Sequence, residues 1–312
     1  MFRRVYGESY HAAVIDEHTG GSFIQHQIRS GAWIACVCAN EEGEVVAHGA
    51  LLPNGNSWRI ARILVDQGAK GCGSKITDAL LSFADDSLGA RASVVAESVT
   101  SHDGSQKIFE DRSFFPLSIL VSKFLDYFGN GHRESVLVMG RGVATTAGAV
   151  YVPDAIAPMV QEILSWHELS TEVRGHQDAC GTELPADGPP VRHSSFDTHM
   201  ELGRIALSAG ASASDYRDER EDMFKNNPAF VELKVEIATP TGYVLAQQAL
   251  ADGFIFAGIE PHQDGVWLLL QHVRDGIVEG IEPLSFEKPR LSEQHKERAN
   301  RLKQFIGQVT RG

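Results

Sequence analysis

The chain has 312 residues, roughly twice the 150-residue length of an ordinary domain, so two domains, each able to bury a core, are expected. With 43% hydrophobic and 22% charged residues and only 12 prolines, its composition excludes a disordered, collagen-like or disulfide-scaffold chain. The net charge of −13 repels phosphate backbones and anionic lipid, which sets aside nucleic-acid and membrane-surface partners.

In chain order, Trp33 to Ala39 and Glu44 to Leu52 are β-rich runs separated by the turn chemistry of Asn40-Glu41-Glu42-Gly43, which predicts two antiparallel strands. Trp58 to Val65 is a third strand. The period then changes: Ile76, Ala79, Leu80 and Phe83 fall at i, i+3, i+4 and i+7, so a helix beginning near Ser74 turns one apolar side to the sheet. Ala92 to Val99 reads as a strand, Ser105 to Arg112 as a helix, Phe114 to Val121 as extended and Val136 to Met139 as a last strand. The order is that of a mixed α/β layer with hairpins first and one crossover helix in the middle.

Glu172 to Pro190 gathers Gly175, Gly181, Gly188, Pro185, Pro189 and Pro190 among polar residues without apolar periodicity, and reads as a linker. The expected division is therefore residues 1–150, a helix and linker over 151–190, and a second domain over 191–312. In that second part, a helix near Asp215 to Lys225 carries the acidic face Asp218, Glu219, Glu221 and Asp222. Phe230 to Ile237 reads as a strand, Tyr243 to Ala251 as a helix, Gly253 to Ile259 as a turn entering a strand, and Val266 to Gln271 as another strand. This repeats the order of Ala92 to Val121, so a divergent internal duplication is one reading and two unrelated α/β domains the other. Ser292 to Val309 reads as an amphipathic closing helix.

Apolar runs such as Val266 to Leu270 are far shorter than the roughly 20 residues of a membrane helix, and the opening Met1-Phe2-Arg3-Arg4 lacks an apolar signal core, so a cytoplasmic location is expected. Cys36, Cys38, Cys72 and Cys180 show no paired Cys-x-x-Cys spacing and no nearby His cluster, so no metal is expected.

The most informative local pattern is Ile63-Leu64-Val65-Asp66-Gln67-Gly68-Ala69-Lys70-Gly71-Cys72-Gly73-Ser74-Lys75, a strand, a glycine-rich turn and the start of an amphipathic helix. Such a turn can aim unpaired backbone N–H groups and the positive helix end at a phosphate. A tight turn that binds nothing is the competing reading. The pattern is neither a Walker A loop nor a Rossmann fingerprint, because Gly-x-x-x-x-Gly-Lys-Ser cannot be laid over it and hairpins precede it.

At these residues the sequence resembles the GCN5-related N-acetyltransferase (GNAT) superfamily, whose strand, Arg/Gln-x-x-Gly-x-Gly/Ala loop and helix hold the pyrophosphate of coenzyme A. Gly71 and Gly73 match the two small positions. Val45 to Gly49 is similar to the strand before the motif, and Ser105 to Phe114 to a second motif, a helix ending in a Gly-Phe-like turn. The opening Arg4 to Tyr10, the run Val99 to Lys107 and Gly253 to Pro261 look like a bacterial subgroup with a degenerate second GNAT-like half, which implies two GNAT-like domains in tandem. Two positions depart from the pattern. The loop's Arg/Gln falls on Gly68, with Gln67 one place early, and the tyrosine that often protonates the leaving thiolate falls on Phe109.

What the resemblance implies is a ternary complex in which a pantetheine arm lies between two splayed strands, Trp58 to Val65 and Ala92 to Val99, and an amine attacks the thioester directly. Ile63, Leu64 and Val65 would polarise the thioester carbonyl with backbone N–H groups, and Lys70, Gly71, Cys72, Gly73, Ser74 and Lys75 would hold the phosphates. Ser105, Gln106 and Lys107 would line the thioester end, and Phe109, at the tyrosine position, would belong to the same cofactor site. Glu97 and His102 are the candidate bases, weighed against an ion-pair partner and a helix cap respectively. His48 reads as a hydrogen-bonded sheet residue, and Cys72 as ordinary phosphate-loop backbone rather than a nucleophile.

The implied activity is N-acyl transfer from acyl-CoA, or from an acyl carrier protein, to a small-molecule amine. Arg62, Lys70, Lys75, Lys123 and Arg133 are the basic residues available near the arm entrance. The second half lacks a Gly-x-Gly before its helix, so its expected tasks are to shape the acceptor pocket and cover an exposed sheet edge. The alternative is a non-catalytic module that binds acyl-CoA or a protein.

Overall fold

The first turn forms as its chemistry predicts. Gly43 adopts φ 80°, its N–H reaches the Asn40 carbonyl at 3.0 Å, and the Asn40 side chain accepts the Glu44 N–H at 2.8 Å. A computed structural model describes residues 21–54, 57–88, 93–101, 103–124, 133–179, 192–262, 265–274, 276 and 278–311. The first half comprises α1 (Gly21–Arg29), β1 (Ile34–Ala39), β2 (Val45–Asn54), β3 (Ser57–Val65), α2 (Cys72–Leu88), β4 (Val94–Val99), α3 (Gly104–Glu110), β5 (Phe115–Phe124) and β6 (Glu134–Arg141). Then come β7 (Ala149–Tyr151), α4 (Ala157–Trp166), β8 (Glu172–Arg174) and α5 (His176–Ala179). The second half comprises β9 (Arg192–Asp197), β10 (Leu202–Leu207), α6 (Ala213–Phe224), β11 (Phe230–Glu236), α7 (Pro240–Ala251), β12 (Ile255–His262), β13 (Gly265–Val273), α8 (Val278–Ile281) and α9 (Glu293–Arg311).

Two expectations are corrected. The buried side of α2 is Ile76, Thr77, Leu80, Leu81 and Ala84, whereas Ala79 and Phe83 are exposed. The helix has more apolar residues than one face can hold, and contact with the sheet selected the strip that includes Leu81 and Ala84. Phe83 instead meets the Trp58 ring edge-on at 6.2 Å. The segment read as a linker is structured as far as Ala179, because β8 pairs in parallel with β7 and α5 follows it. That pairing satisfies the backbone of a stretch whose side chains carry no periodic signal. The remainder of the expected linker, 180–190, lies outside the described residues.

All but β7 and β8 of the described strands join one eleven-stranded sheet, in the order β1-β2-β3-β4-β6-β5-β12-β13-β11-β10-β9. Each half contributes one parallel pair spanned by a helix, β3 and β4 across α2, and β10 and β11 across α6. Each then adds a helix and a strand, and a final strand inserts between the previous two. The strand order of the second half therefore mirrors that of the first about the β5–β12 contact.

At that contact the strands come very close. Gly258 pairs with Ser118 at φ 145°, and a Cβ there would run into the Leu117 carbonyl. Nearby, the buried Gln271 amide substitutes for a strand: its Oε1 accepts the Val121 N–H at 2.8 Å, and its Nε2 donates to the Ile119 carbonyl at 3.1 Å. The α9 helix covers this junction with Ala299, Leu302 and Ile306, and Phe305 meets Phe256 at 5.6 Å. One continuous apolar cluster runs through both halves.

Candidate active site

Strands β3 and β4 pair only at Trp58–Val94, Arg59–Val95 and Ile60–Ala96. Beyond that point β3 keeps its pairing with β2 through Val65, and β4 keeps its pairing with β6 through Val99. The two strands have thus parted from each other while each remains held on its outer side, leaving backbone groups of 61–65 and 97–99 facing a slot. A bulge sits at the parting, where β3 has one residue more than β2 and Arg62 adopts φ 57°. His48 is buried with its Nδ1 at 3.2 Å from the Arg62 carbonyl, and burial lowers its pKa, which fits the sheet-residue reading.

The slot leads into the glycine loop. Gly71 has φ 83°, and Gly73 lies so close to its neighbours that a Cβ would sit 3.1 Å from Ile108 Cδ1 and 3.3 Å from Val65 Cγ2. The N–H groups of Gly71, Gly73 and Ser74 have no partner among the described residues, and no acidic side chain occupies the first turn of α2. Lys70 and Lys75 are exposed here and make no ion pair among the described residues. Arg112 fixes the position of this turn: Nη2 donates to the Ser74 carbonyl at 3.1 Å, while Nε and Nη2 grip Asp78 at 2.7 and 2.9 Å. These donors and cations fit a pyrophosphate.

Other predicted residues have structural work. Gln106 is buried and its Nε2 donates to the Val99 carbonyl at 3.2 Å, tying α3 to the end of β4. Phe109 is a core residue whose ring lies 5.1 Å from that of Phe114. Ser105 lies on the same short helix with its Oγ buried and without a hydrogen bond among the described residues. Of the basic residues expected at the entrance, Lys123 is buried, and Arg133 is tied to the Ser122, Lys123 and Met200 carbonyls. Arg62 lies 4.3 Å over the Trp33 ring. Lys70 and Lys75 are the two left at the loop.

Glu97 stands one residue beyond the last β3–β4 pair, within an ion network that sequence reading missed. It contacts Arg59 and, at 3.0 Å, Lys123. Lys123 continues to Glu232 at 3.0 Å, Arg59 to Glu260 at 3.1 Å, and Glu260 to Lys234 at 2.6 Å and His262 at 3.3 Å. Burial alone would raise the Glu97 pKa, but the Lys123 and Arg59 charges outweigh it and hold the carboxyl below its ordinary value. Burial is likewise outweighed at Glu232, where Lys123, Lys234, Arg59 and Arg204 bring the pKa down to about 2. The available signal was the alternation Glu232-Leu233-Lys234-Val235-Glu236, which puts charge on one face of β11. His102 lies outside the described residues.

A parallel pair that parts in mid-course, followed by a glycine loop and an uncapped helix, is the arrangement the sequence resemblance implied. The first half has the strand, loop and helix arrangement of a GNAT-type fold. No model of a known protein family matches the chain, and no curated protein sequence matches it. Among solved structures it is similar to the ribosomal-protein-alanine N-acetyltransferase of Brucella melitensis, at 15% identity and TM-score 0.33 over 41% of this chain and 86% of that one. A spermidine/spermine N-acetyltransferase of Vibrio cholerae aligns at 15% identity and TM-score 0.34, over 40% of this chain and 74% of the other. A phosphinothricin acetyltransferase of Sinorhizobium meliloti in complex with AcCoA aligns at 17% identity and TM-score 0.31, over 38% and 65%. No helix among the described residues is long and apolar enough to cross a membrane.

The second half differs from the GNAT-type half where a ligand arm would enter. Strands β10 and β11 pair without a break from Leu202–Phe230 to Leu207–Val235. The start of α6 is closed by its own side chains: Asp215 accepts the Ser212 N–H at 2.8 Å and the Ser212 hydroxyl accepts the Asp215 N–H at 3.2 Å. This half instead borders a cavity of about 490 Å³ lined by Ser195, Arg204, Glu232, Lys234, Glu236 and Trp267 among others, with Asn54 reaching in from the GNAT-type half.

Proposed function

We propose that the chain is an N-acyltransferase that moves an acyl group from a phosphopantetheine thioester to the amine of a small acceptor in a ternary complex. The observation that carries this is the parting of β3 from β4 after Ile60–Ala96, directly ahead of a glycine loop whose N–H groups have no partner among the described residues. The pantetheine arm would lie in the slot, its carbonyl polarised by backbone N–H groups of Ile63, Leu64 and Val65. Gly71, Cys72, Gly73 and Ser74 would receive the pyrophosphate with Lys70 and Lys75 beside it. The amine would lose its proton to His102, whose type titrates near neutral pH. Glu97, kept ionised by Lys123 and Arg59, would hold charge at the slot mouth. The departing thiolate would be protonated by water or a group other than Phe109.

Acyl-CoA is the default donor, and an acyl carrier protein is the variant suggested by Gly68 in place of the loop's Arg/Gln. Both share the arm and differ in the nucleotide. The second half is read as a degenerate GNAT-like partner on the evidence of its mirrored strand order and unbroken β10–β11 pair. A non-catalytic acyl-CoA-binding module is favoured by the burial of Phe109 in the core and by the pinning of Glu97 between two cations.

The test is the melting temperature with acetyl-CoA and with acetyl-pantetheine, followed by thiol release with an amine panel. A rise with acetyl-CoA alone supports the free-CoA donor, and equal rises favour the carrier protein. No rise with either removes the thioester site. Turnover that His102→Ala and Glu97→Gln leave unchanged removes the assigned roles, while binding without turnover for any amine selects the module.

A further inference from the structure

The cavity bordered by the second half is built from one face of its sheet. Register places Arg204 beside both Ser195 and Glu232, Ala206 beside His193 and Lys234, and Glu236 beside Trp267. The opposite face, carrying Ile205, Leu207, Val231, Leu233 and Val235, is buried, and Gly203 there abuts Met223 of α6. The strands therefore divide an apolar face from a polar one by their two-residue period.

Most charges on the polar face are already neutralised. Lys234 is paired with Glu260 and Glu232, and Glu232 with Lys123 as well. Two groups of opposite sign keep hydrogen-bonding capacity, although the Arg204 charge also helps to hold Glu232 ionised. Arg204 is exposed and makes no salt bridge or hydrogen bond among the described residues, and Glu236 uses only Oε2, which accepts the Ala209 N–H at 2.9 Å, leaving Oε1 without a partner there. Trp267 stands beside Glu236, on the side of β11 away from Arg204, with its ring edge-on to His262 at 6.5 Å, and offers an aromatic surface to the same cavity. A guanidinium grips a carboxylate, a carboxylate takes an ammonium, and an indole packs an apolar or aromatic body. At about 490 Å³ the space is of the size that small-ligand sites have.

We propose that this cavity binds a small molecule carrying both a carboxylate and an ammonium, an α-amino acid or near relative, with its carboxylate on Arg204, its ammonium on Glu236 and its side chain against Trp267. Its use as the acceptor side of the reaction rests on the acyl-transfer reading; binding itself does not.

Calorimetric titration of the full chain without thioester tests the proposal, using L-phenylalanine, L-leucine and L-glutamate, and then phenethylamine and 3-phenylpropionate as partners lacking one head group. At least one amino acid is expected to bind, and the one-headed analogues of L-phenylalanine to bind about tenfold more weakly or worse, since each leaves a charged group of the site unpaired. Arg204→Ala and Glu236→Gln are each expected to weaken binding by a similar factor of about ten while leaving stabilisation by acetyl-CoA unchanged, and Arg204→Lys to recover part of it. The Gln substitution keeps an acceptor for Ala209, so the fold is preserved. Absence of binding by all three amino acids at millimolar concentration, or binding that neither variant weakens, overturns the proposal. Failure of acetyl-CoA to bind, measured in parallel, counts only against the acyl-transfer reading.

Discussion

Strands β3 and β4 share three residue pairs and then separate, whereas β10 and β11, in the equivalent place of the other half, share six and stay together. The helix ends that follow differ in the same sense: α2 opens on glycines whose N–H groups have no partner among the described residues, with flanking lysines, and α6 opens on a serine–aspartate cap that uses its own carboxylate as the anion. One strand order therefore supports two outcomes. A slot requires both an unpaired edge and an unfilled helix end, and the second half supplies neither.

Changes at the junction break the comparison most severely, because the halves share one sheet. Gly258→Ala should cost about 3 kcal/mol in chemical denaturation, since the position combines φ 145° with backbone of β5 against the missing Cβ. Next in size, Gly73→Val should make the first helix end as inaccessible as the second. The side chain would press on Ile108 and Val65, and acetyl-CoA should bind about 30-fold more weakly, with its stabilisation lost. Ser214→Val, at the corresponding exposed position of α6, should leave acetyl-CoA stabilisation unchanged.

Acid should separate the ion network from the rest of the fold. His167 is half-buried, its pKa lowered from 6.5 to about 4 by desolvation despite the Pro116 carbonyl at 3.3 Å. Folded-state values below the unfolded ones mean that the unfolded chain binds protons first, so stability falls as pH drops. The His167 contribution should be lost between pH 6.5 and about 4, and that of Glu232 between 4.5 and about 2. Equilibrium unfolding against pH checks both windows, and Glu232→Gln should shrink the lower one without abolishing it, because Glu97 and Glu260 are also held below their ordinary values. The smallest effect is expected from Asp215→Ala, which uncaps α6 and should cost about 1 kcal/mol without creating an acetyl-CoA site, because β10 and β11 remain paired.

Much of the fold was legible in the chain. The hairpin at Asn40–Gly43, the strand–loop–helix at Ile63–Lys75 and the repeated order from Phe230 onward all follow from local chemistry, as does the closing helix, whose buried Ala299, Leu302 and Ile306 keep its period. The face of α2 was read partly wrong, since Ala79 and Phe83 are exposed, and the pairing of Glu172–Arg174 with Ala149–Tyr151 left no signal in side-chain period. At the site, Gly71 and Gly73 were readable because a turn at positive φ and a close approach each favour glycine. The ion partners of Glu97 were not, because Lys123, Glu232 and Glu260 come from three distant strands.

The sequence by itself determined the elements, the phosphate-type loop and the half of the chain that carries it, because propensity, period and glycine placement act over a few neighbouring residues. Only the tertiary structure decided where β3 and β4 part, that β5 and β12 join the halves into one sheet, and which charges remain unneutralised after Arg59, Glu97, Lys123, Glu232, Lys234 and Glu260 have found one another. Those outcomes depend on pairing and burial between residues far apart in the chain, and a linear pattern does not encode which of many compatible partners each group meets.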